Sequence, residues 1–174
     1  FFFFFNDKMT DSTRNEEDIR HDINTITDEL KEILEYANQQ LNIIKKDTEL
    51  EEDYLQYDFD IVMIHTRPML CEQIEIYKRI IENITCVLCE NTNDAFTEHK
   101  RYTYNYRKAF CDIKILEIEH PLKRWTKDND EEVWKTEHPI PYNRLVLYRK
   151  EKQVCENILR LYQLKIEQDK PISI

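Results

Sequence analysis

The sequence predicts an all-α fold in which long helices form a coiled coil or an extended helical bundle. Its 174 residues include no glycine, the residue that supplies the positive φ angles of tight hairpins and phosphate-binding loops. Apolar residues recur at alternating spacings of four and three, which is typical of helices that pack against one another. Charged residues make up 34% and hydrophobic residues 41% of the chain, a balance that suits helices with one apolar face each.

The predicted helical region spans residues 13–119 and begins at a capping box, in which Thr13 is followed three residues later by Glu16. A heptad seam follows, which Gln40 interrupts and which resumes at Ile44. The seam consists of Ile19, Ile23, Ile26, Leu30, Ile33 and Ala37, and it is widened by Leu34 and Leu41. We expect this segment to form coiled-coil packing.

A second long helix is predicted after Arg67 and Pro68, because proline disfavours helix at the preceding residue and suits the first helical position. The apolar positions of this helix have spacings of 4, 3, 4, 3 and 4. They are Leu70, Ile74, Tyr77, Ile81, Ile84 and Leu88. The regular spacing makes this helix the clearest local prediction in the chain.

A third helix is predicted from Phe96 to Glu119. Tyr102, Tyr104 and Tyr106 alternate as they would in a strand, but the lack of glycine turns favours a helix. The helical reading rests on a row of spaced residues: His99, Tyr102, Tyr106, Phe110, Ile113 and Leu116.

Residues 120–142 are predicted to be a connector, because their prolines oppose a continuous helix. Trp125 and Trp134 are its expected anchors. The last helix is predicted over residues 143–168, followed by a tail at 169–174. It carries two overlapping apolar stripes, which indicate more than one neighbour: Leu147, Val154, Ile158 and Leu161 beside Tyr148, Cys155, Leu159, Tyr162 and Ile166.

Cys86 and Cys89 form a Cys-x-x-Cys pair inside the apolar run of the second helix. Structural zinc sites need four ligands, and a redox pair opens a helix after a strand. Neither context fits, so we interpret the pair as buried helix cysteines that act as small hydrophobes. A zinc or redox role stays the alternative. We expect no cofactor and no catalytic residues, because no Ser-His-Asp or His-Glu-x-x-His arrangement occurs; His120 and His138 are interpreted as connector residues.

The net charge of −10 is concentrated in residues 11–60, which hold 16 acidic and 5 basic side chains. The one stretch that suits RNA is residues 99–108, where basic residues are interleaved with tyrosines that can stack on bases. The candidate RNA contacts are Lys100, Arg101, Arg107 and Lys108. The favoured alternative is an amphipathic helix whose basic residues lie in solvent.

Several short stretches together resemble the THO complex subunit 7 family over residues 16–168. They are "EEDIRHDI", "EIYKRI", "HKR", "EHP" and "LVLYRKEKQVCENILRLYQLK". The resemblance implies a non-enzymatic coiled-coil subunit that pairs with another long-helical subunit in a nuclear assembly for mRNA processing and export. It places the partner-binding surface on two apolar stripes: Ile74, Tyr77, Ile81, Ile84 and Leu88, with Val154, Ile158 and Leu161.

We therefore expect a nuclear, non-catalytic subunit whose partners are other coiled-coil proteins, with at most weak or indirect RNA contact. No membrane contact is expected, since no run of about 18 apolar residues occurs, and no small-molecule substrate is expected, since no catalytic arrangement is found. The alternatives are a cytoskeletal or vesicle-tethering adaptor, which would be cytoplasmic, and a small zinc- or redox-active protein using Cys86 and Cys89. Residues 1–12 are predicted to be disordered, and Met9 is the expected natural start.

Overall fold

The computed structural model describes residues 15–54, 59–89, 98–126 and 130–169. These residues form five helices and no strand, which confirms the all-α prediction. In chain order the helices are α1 (Glu16–Tyr54), α2 (Phe59–Cys89), α3 (Glu98–Trp125), α4 (Glu131–Glu137) and α5 (Pro139–Asp169). The predicted disordered segment 1–12, Thr13 of the capping box and most of the tail lie outside the described residues.

Helix α5 is the centre of the fold, because it packs against each of the other four helices. Its broad apolar face supplies much of the common core, as its two overlapping stripes predicted. Three apolar side chains of the stripes have no exposed surface, Val154, Cys155 and Ile158, and Tyr162 is 1% exposed. Helix α5 thus holds the other described helices together.

Polar contacts also join α5 to its neighbours. Arg144 donates to Glu72 of α2 over 2.6 and 3.1 Å, and Lys152 lies 2.6 Å from Asp112 of α3. Arg149 donates to Glu119 of α3 over 2.9 Å and also pairs with Glu131 of α4. These pairs are partly exposed, so each adds little to stability, but together they fix how the helices are aligned along α5.

The heptad seam of α1 faces the core. Leu30 and Ala37 have no exposed surface, and Ile19, Ile33 and Leu41 are also buried. Asn15 caps the helix, since its Oδ1 accepts a hydrogen bond of 2.8 Å from the backbone N–H of Glu17. The predicted seam is therefore used inside the chain, against α2 and α5.

Helix α2 begins at Phe59 and continues through position 68, so Arg67 and Pro68 do not separate two helices. A proline removes one backbone donor, and the helix is formed on both sides of it. The buried side of α2 is also rotated from the predicted seam. Ile76, Ile80 and Val87 are buried together with Tyr77 and Ile84, while Ile74, Ile81 and Leu88 lie partly buried at its edge.

The predicted connector at residues 120–142 is largely helical. Helix α3 continues through Pro121 to Trp125, α4 fills most of the gap, and α5 begins at Pro139, where a missing N–H costs nothing. Trp134 anchors the turn: it is 2% exposed, and its Nε1 donates to Thr126 Oγ1 over 2.6 Å. Trp125 is 58% exposed and lies against the His138 ring, so it is not a buried anchor.

Candidate functional site

A buried carboxylate, Glu151 of α5, lies between two arginines from different helices. Its side chain is 1% exposed. Arg107 of α3 donates from Nε to Oε2 over 2.7 Å and from Nη2 to Oε1 over 2.9 Å. Arg79 of α2 donates from Nη2 and Nε to Oε1 over 3.1 and 3.2 Å. We call these three residues the Glu151 centre; it joins α2, α3 and α5 at one point.

The Glu151 centre stays ionised. Burial alone would raise the pKa of the Glu151 carboxyl, but the hydrogen bonds and charges of Arg107 and Arg79 outweigh it and hold the pKa below its ordinary value. Both carboxylate oxygens are occupied by guanidinium groups. The carboxylate is therefore arranged as a fixed anion between two cations and has no free oxygen toward a substrate.

Two buried thiols flank this centre, Cys111 of α3 and Cys155 of α5. Burial, followed by the negative charge of Glu151, raises the pKa of each thiol to about 12. Cysteine reacts as the thiolate, so both thiols are protonated and unreactive at neutral pH. They behave as small apolar residues, the role that the sequence suggested for a different pair.

Cys86 and Cys89 are both exposed, so the prediction that they are buried was wrong. They lie near the end of α2 on the side away from Ile84 and Val87, which are the buried positions of that turn. In the described part of the chain, no group of three or more His, Cys, Asp or Glu side chains could hold a metal ion.

The four basic residues of the stretch 99–108 that were predicted to contact RNA differ in their contacts within the fold. Arg107 belongs to the Glu151 centre and is not available to a phosphate in this conformation. Arg101 donates from Nη2 to Gln163 Oε1 over 2.6 Å, and the side chains of Lys100 and Lys108 are partly exposed. An RNA contact here stays a prediction, and in this fold Arg107 cannot be part of it.

The residues predicted to bind a partner lie mostly within the chain's own core. Tyr77, Ile84, Val154, Ile158 and Leu161 are buried, and Ile74, Ile81 and Leu88 pack against the same core. Intramolecular contacts therefore occupy this surface. A partner that binds this conformation would contact the chain elsewhere, and the structure offers one such place on α3.

Helix α3 carries an exposed apolar row on the side opposite its buried face. Tyr102, Tyr106, Ile113 and Leu116 are 70%, 63%, 56% and 65% exposed, and Ala109 and His120 are exposed as well. The outer row is defined as these six residues, which follow one another at spacings of 4, 3, 4, 3 and 4. That is the spacing of a coiled-coil seam, yet Tyr104, Cys111, Ile118 and Leu122 form the buried face of the helix.

The length of the outer row suits contact with another helix. Its six residues cover 18 residue steps, or about 27 Å along the helix axis at 1.5 Å per residue. A folded chain gains nothing by placing large apolar side chains in water, and such exposed rows mark interaction surfaces. In the sequence analysis, four of these six residues were placed on one face of the predicted helix. Their spacing alone could not decide whether that face points to the core or to solvent.

Among the described helices, none has a stretch long and apolar enough to cross a bilayer. Comparisons with known proteins found no match to this chain among protein-family models, curated proteins or solved structures.

Proposed function

We propose that this protein is a non-catalytic helical subunit of a multiprotein assembly, and that the assembly is a nuclear complex of the THO type acting in mRNA processing and export. The observation that carries the proposal is the outer row of α3. It has the seam spacing of a coiled coil and is exposed, whereas the comparable seams of α1, α2 and α5 are already used in the core.

The chemistry of the buried groups supports a non-catalytic role. Glu151 has both oxygens bound by arginines, and Cys111 and Cys155 are held as thiols. These groups would serve to align the helices that present the outer row. A rigid helix with an exposed seam is the surface that a long-helical partner recognises.

The nuclear setting rests on the resemblance of residues 16–168 to the THO complex subunit 7 family. The family pairs with long-helical subunits, and such pairing needs an accessible apolar seam. The outer row supplies one, on a different helix face from the stripes to which the resemblance assigned the pairing surface.

The test is affinity purification of the tagged full chain from nuclear and cytoplasmic extracts, with and without ribonuclease, followed by mass spectrometry. We expect THO-type subunits from the nuclear extract in both conditions. An Ile113→Asp variant should lose them. An Ile43→Asp variant should retain them, because Ile43 is similarly exposed, at 51%, but lies on α1. Cytoskeletal or vesicle-tethering proteins in place of THO subunits would overturn the nuclear assignment.

A further inference from the structure

We propose that the occupant of the outer row is a second copy of this chain, paired antiparallel through α3. The inference rests on the proposed function, because the dimer formed through this surface is the form that enters the assembly, and a variant that breaks the dimer therefore also loses the other subunits. It follows from the sizes of the six side chains, their order along the helix and the charges that flank them.

The sizes are complementary in one antiparallel register. When Tyr106 lies opposite Leu116 of the second copy, Ala109 lies opposite Ile113, and Tyr102 lies opposite His120. Each layer occurs twice by symmetry, which is how an isologous interface is built. The small Ala109 leaves room for Ile113, so every layer joins a larger with a smaller side chain, as close packing requires.

A parallel pair is less favourable on the same evidence. It would place Ala109 against Ala109, leaving a gap next to the bulky Ile113 layer. It would also bring Asp112 beside Glu117 of the other copy twice, because the flanking positions of parallel coiled coils pair at this offset of five residues. Like charges placed there oppose association.

The antiparallel pair avoids most of this repulsion. Asp112 meets only its own counterpart near the two-fold axis, and each Asp112 is already neutralised by Lys152 at 2.6 Å. Antiparallel helices also align their dipoles favourably, since the end of each lies near the start of the other.

Sedimentation equilibrium of the purified chain, whose monomer mass is 21.4 kDa, tests the self-association. We expect a reversible dimer. An Ile113→Asp variant should raise its dissociation constant by at least about 100-fold, since the charge is buried twice per dimer. The matched Ile43→Asp variant should leave it unchanged. Far-UV circular dichroism checks that both variants stay folded.

Cysteine cross-linking tests the register. Cys71, Cys86 and Cys89 are first replaced by serine, and an Ala109→Cys chain is then mixed with an Ile113→Cys chain under mild oxidation. The antiparallel register predicts disulfides that join position 109 of one chain to position 113 of the other. Disulfides that join position 109 to position 109, or position 113 to position 113, would overturn the antiparallel register in favour of a parallel pair.

The outcomes separate this inference from the function on which it rests. A purified chain that stays monomeric at high concentration overturns the second copy as occupant. If the same chain still captures nuclear subunits in a manner sensitive to Ile113→Asp, the proposed function stands with a different protein on the outer row. A dimer that captures no nuclear subunit supports the self-pairing and overturns the nuclear assignment.

Discussion

Arg107 of α3 donates two hydrogen bonds to the buried carboxylate of Glu151 on α5. The two residues belong to the helices that share the most extensive contact in the fold. Arg79 of α2 donates to the same carboxylate over 3.1 Å, so one acidic side chain links three helices. The contribution of this arrangement to the free energy of unfolding can be measured.

Removing only the Glu151 carboxylate is expected to destabilise the fold. Glu151→Gln leaves two arginines, one of them largely buried, without a counter-charge and should lower the free energy of unfolding by about 3–5 kcal/mol. Urea denaturation followed by circular dichroism measures the loss. Glu156→Gln, at a more exposed carboxylate on the same helix, should change the value by less than about 0.5 kcal/mol. Similar losses for both variants would contradict the role assigned to Glu151.

Acid should remove the same contribution. Because the pKa of folded Glu151 is lowered, its stabilisation is complete above the ordinary glutamate pKa of about 4.3 and is lost as the pH falls through the lower folded pKa. The difference in unfolding free energy between the wild-type chain and Glu151→Gln should therefore shrink below about pH 4. Urea titrations from pH 3 to 7 provide the measurement, and a difference that is constant over this range would refute the ionised centre.

The cysteines should differ in reactivity. At pH 8, iodoacetamide should modify the exposed Cys86 and Cys89 in the folded chain and spare Cys111 and Cys155. A thiol pKa of about 12 in place of 9.0 lowers the thiolate population roughly a thousandfold. Mass spectrometry of peptides gives each rate. In urea, Cys111 and Cys155 should become reactive, and fast modification of either one without urea would contradict their burial.

Replacing each of the two tryptophans by alanine should change the stability of the fold by different amounts. Trp134→Ala opens a cavity and removes the donor to Thr126, so it should cost about 3–5 kcal/mol. Trp125→Ala changes an exposed side chain and should cost less than about 1 kcal/mol. Thermal unfolding by circular dichroism distinguishes the two variants. Equal shifts in Tm would show that the turn between α3 and α5 does not depend on Trp134.

The helical class and the packed face of α1 were predictable because glycine is absent and the seam spacing is regular. The course of residues 120–142 was not, since proline penalties are local and are outweighed when the flanking helices pack against α5. The rotation of α2 was missed for a related reason. Ile80 and Ile81 are both apolar, and only the position of the neighbouring helix decides which of them is fully buried.

The sequence does contain a sign that Glu151 is buried, but the charged residues around it make it look like part of an exposed surface. It lies within "YRKEKQ", which reads as a solvated charge run, yet it occupies the seam position between Leu147 and Val154 at spacings of four and three. An acidic residue in a seam calls for a cation on a facing helix. Arg107 holds the equivalent place between Tyr104 and Cys111, but no single-helix pattern could join the two residues.

The central position of α5 also sets the order of events during synthesis. Helix α1 is translated first of the five helices, and α5, which it packs against, is translated last. At about 5–20 residues per second, several seconds pass before the ribosome has made both. During that interval the seam of α1 can pack against α2 but lacks its contact with α5, and the two arginines of the Glu151 centre lack their carboxylate. The newborn chain therefore reaches its final arrangement only late in translation, and its early helices are the segments that a chaperone would meet.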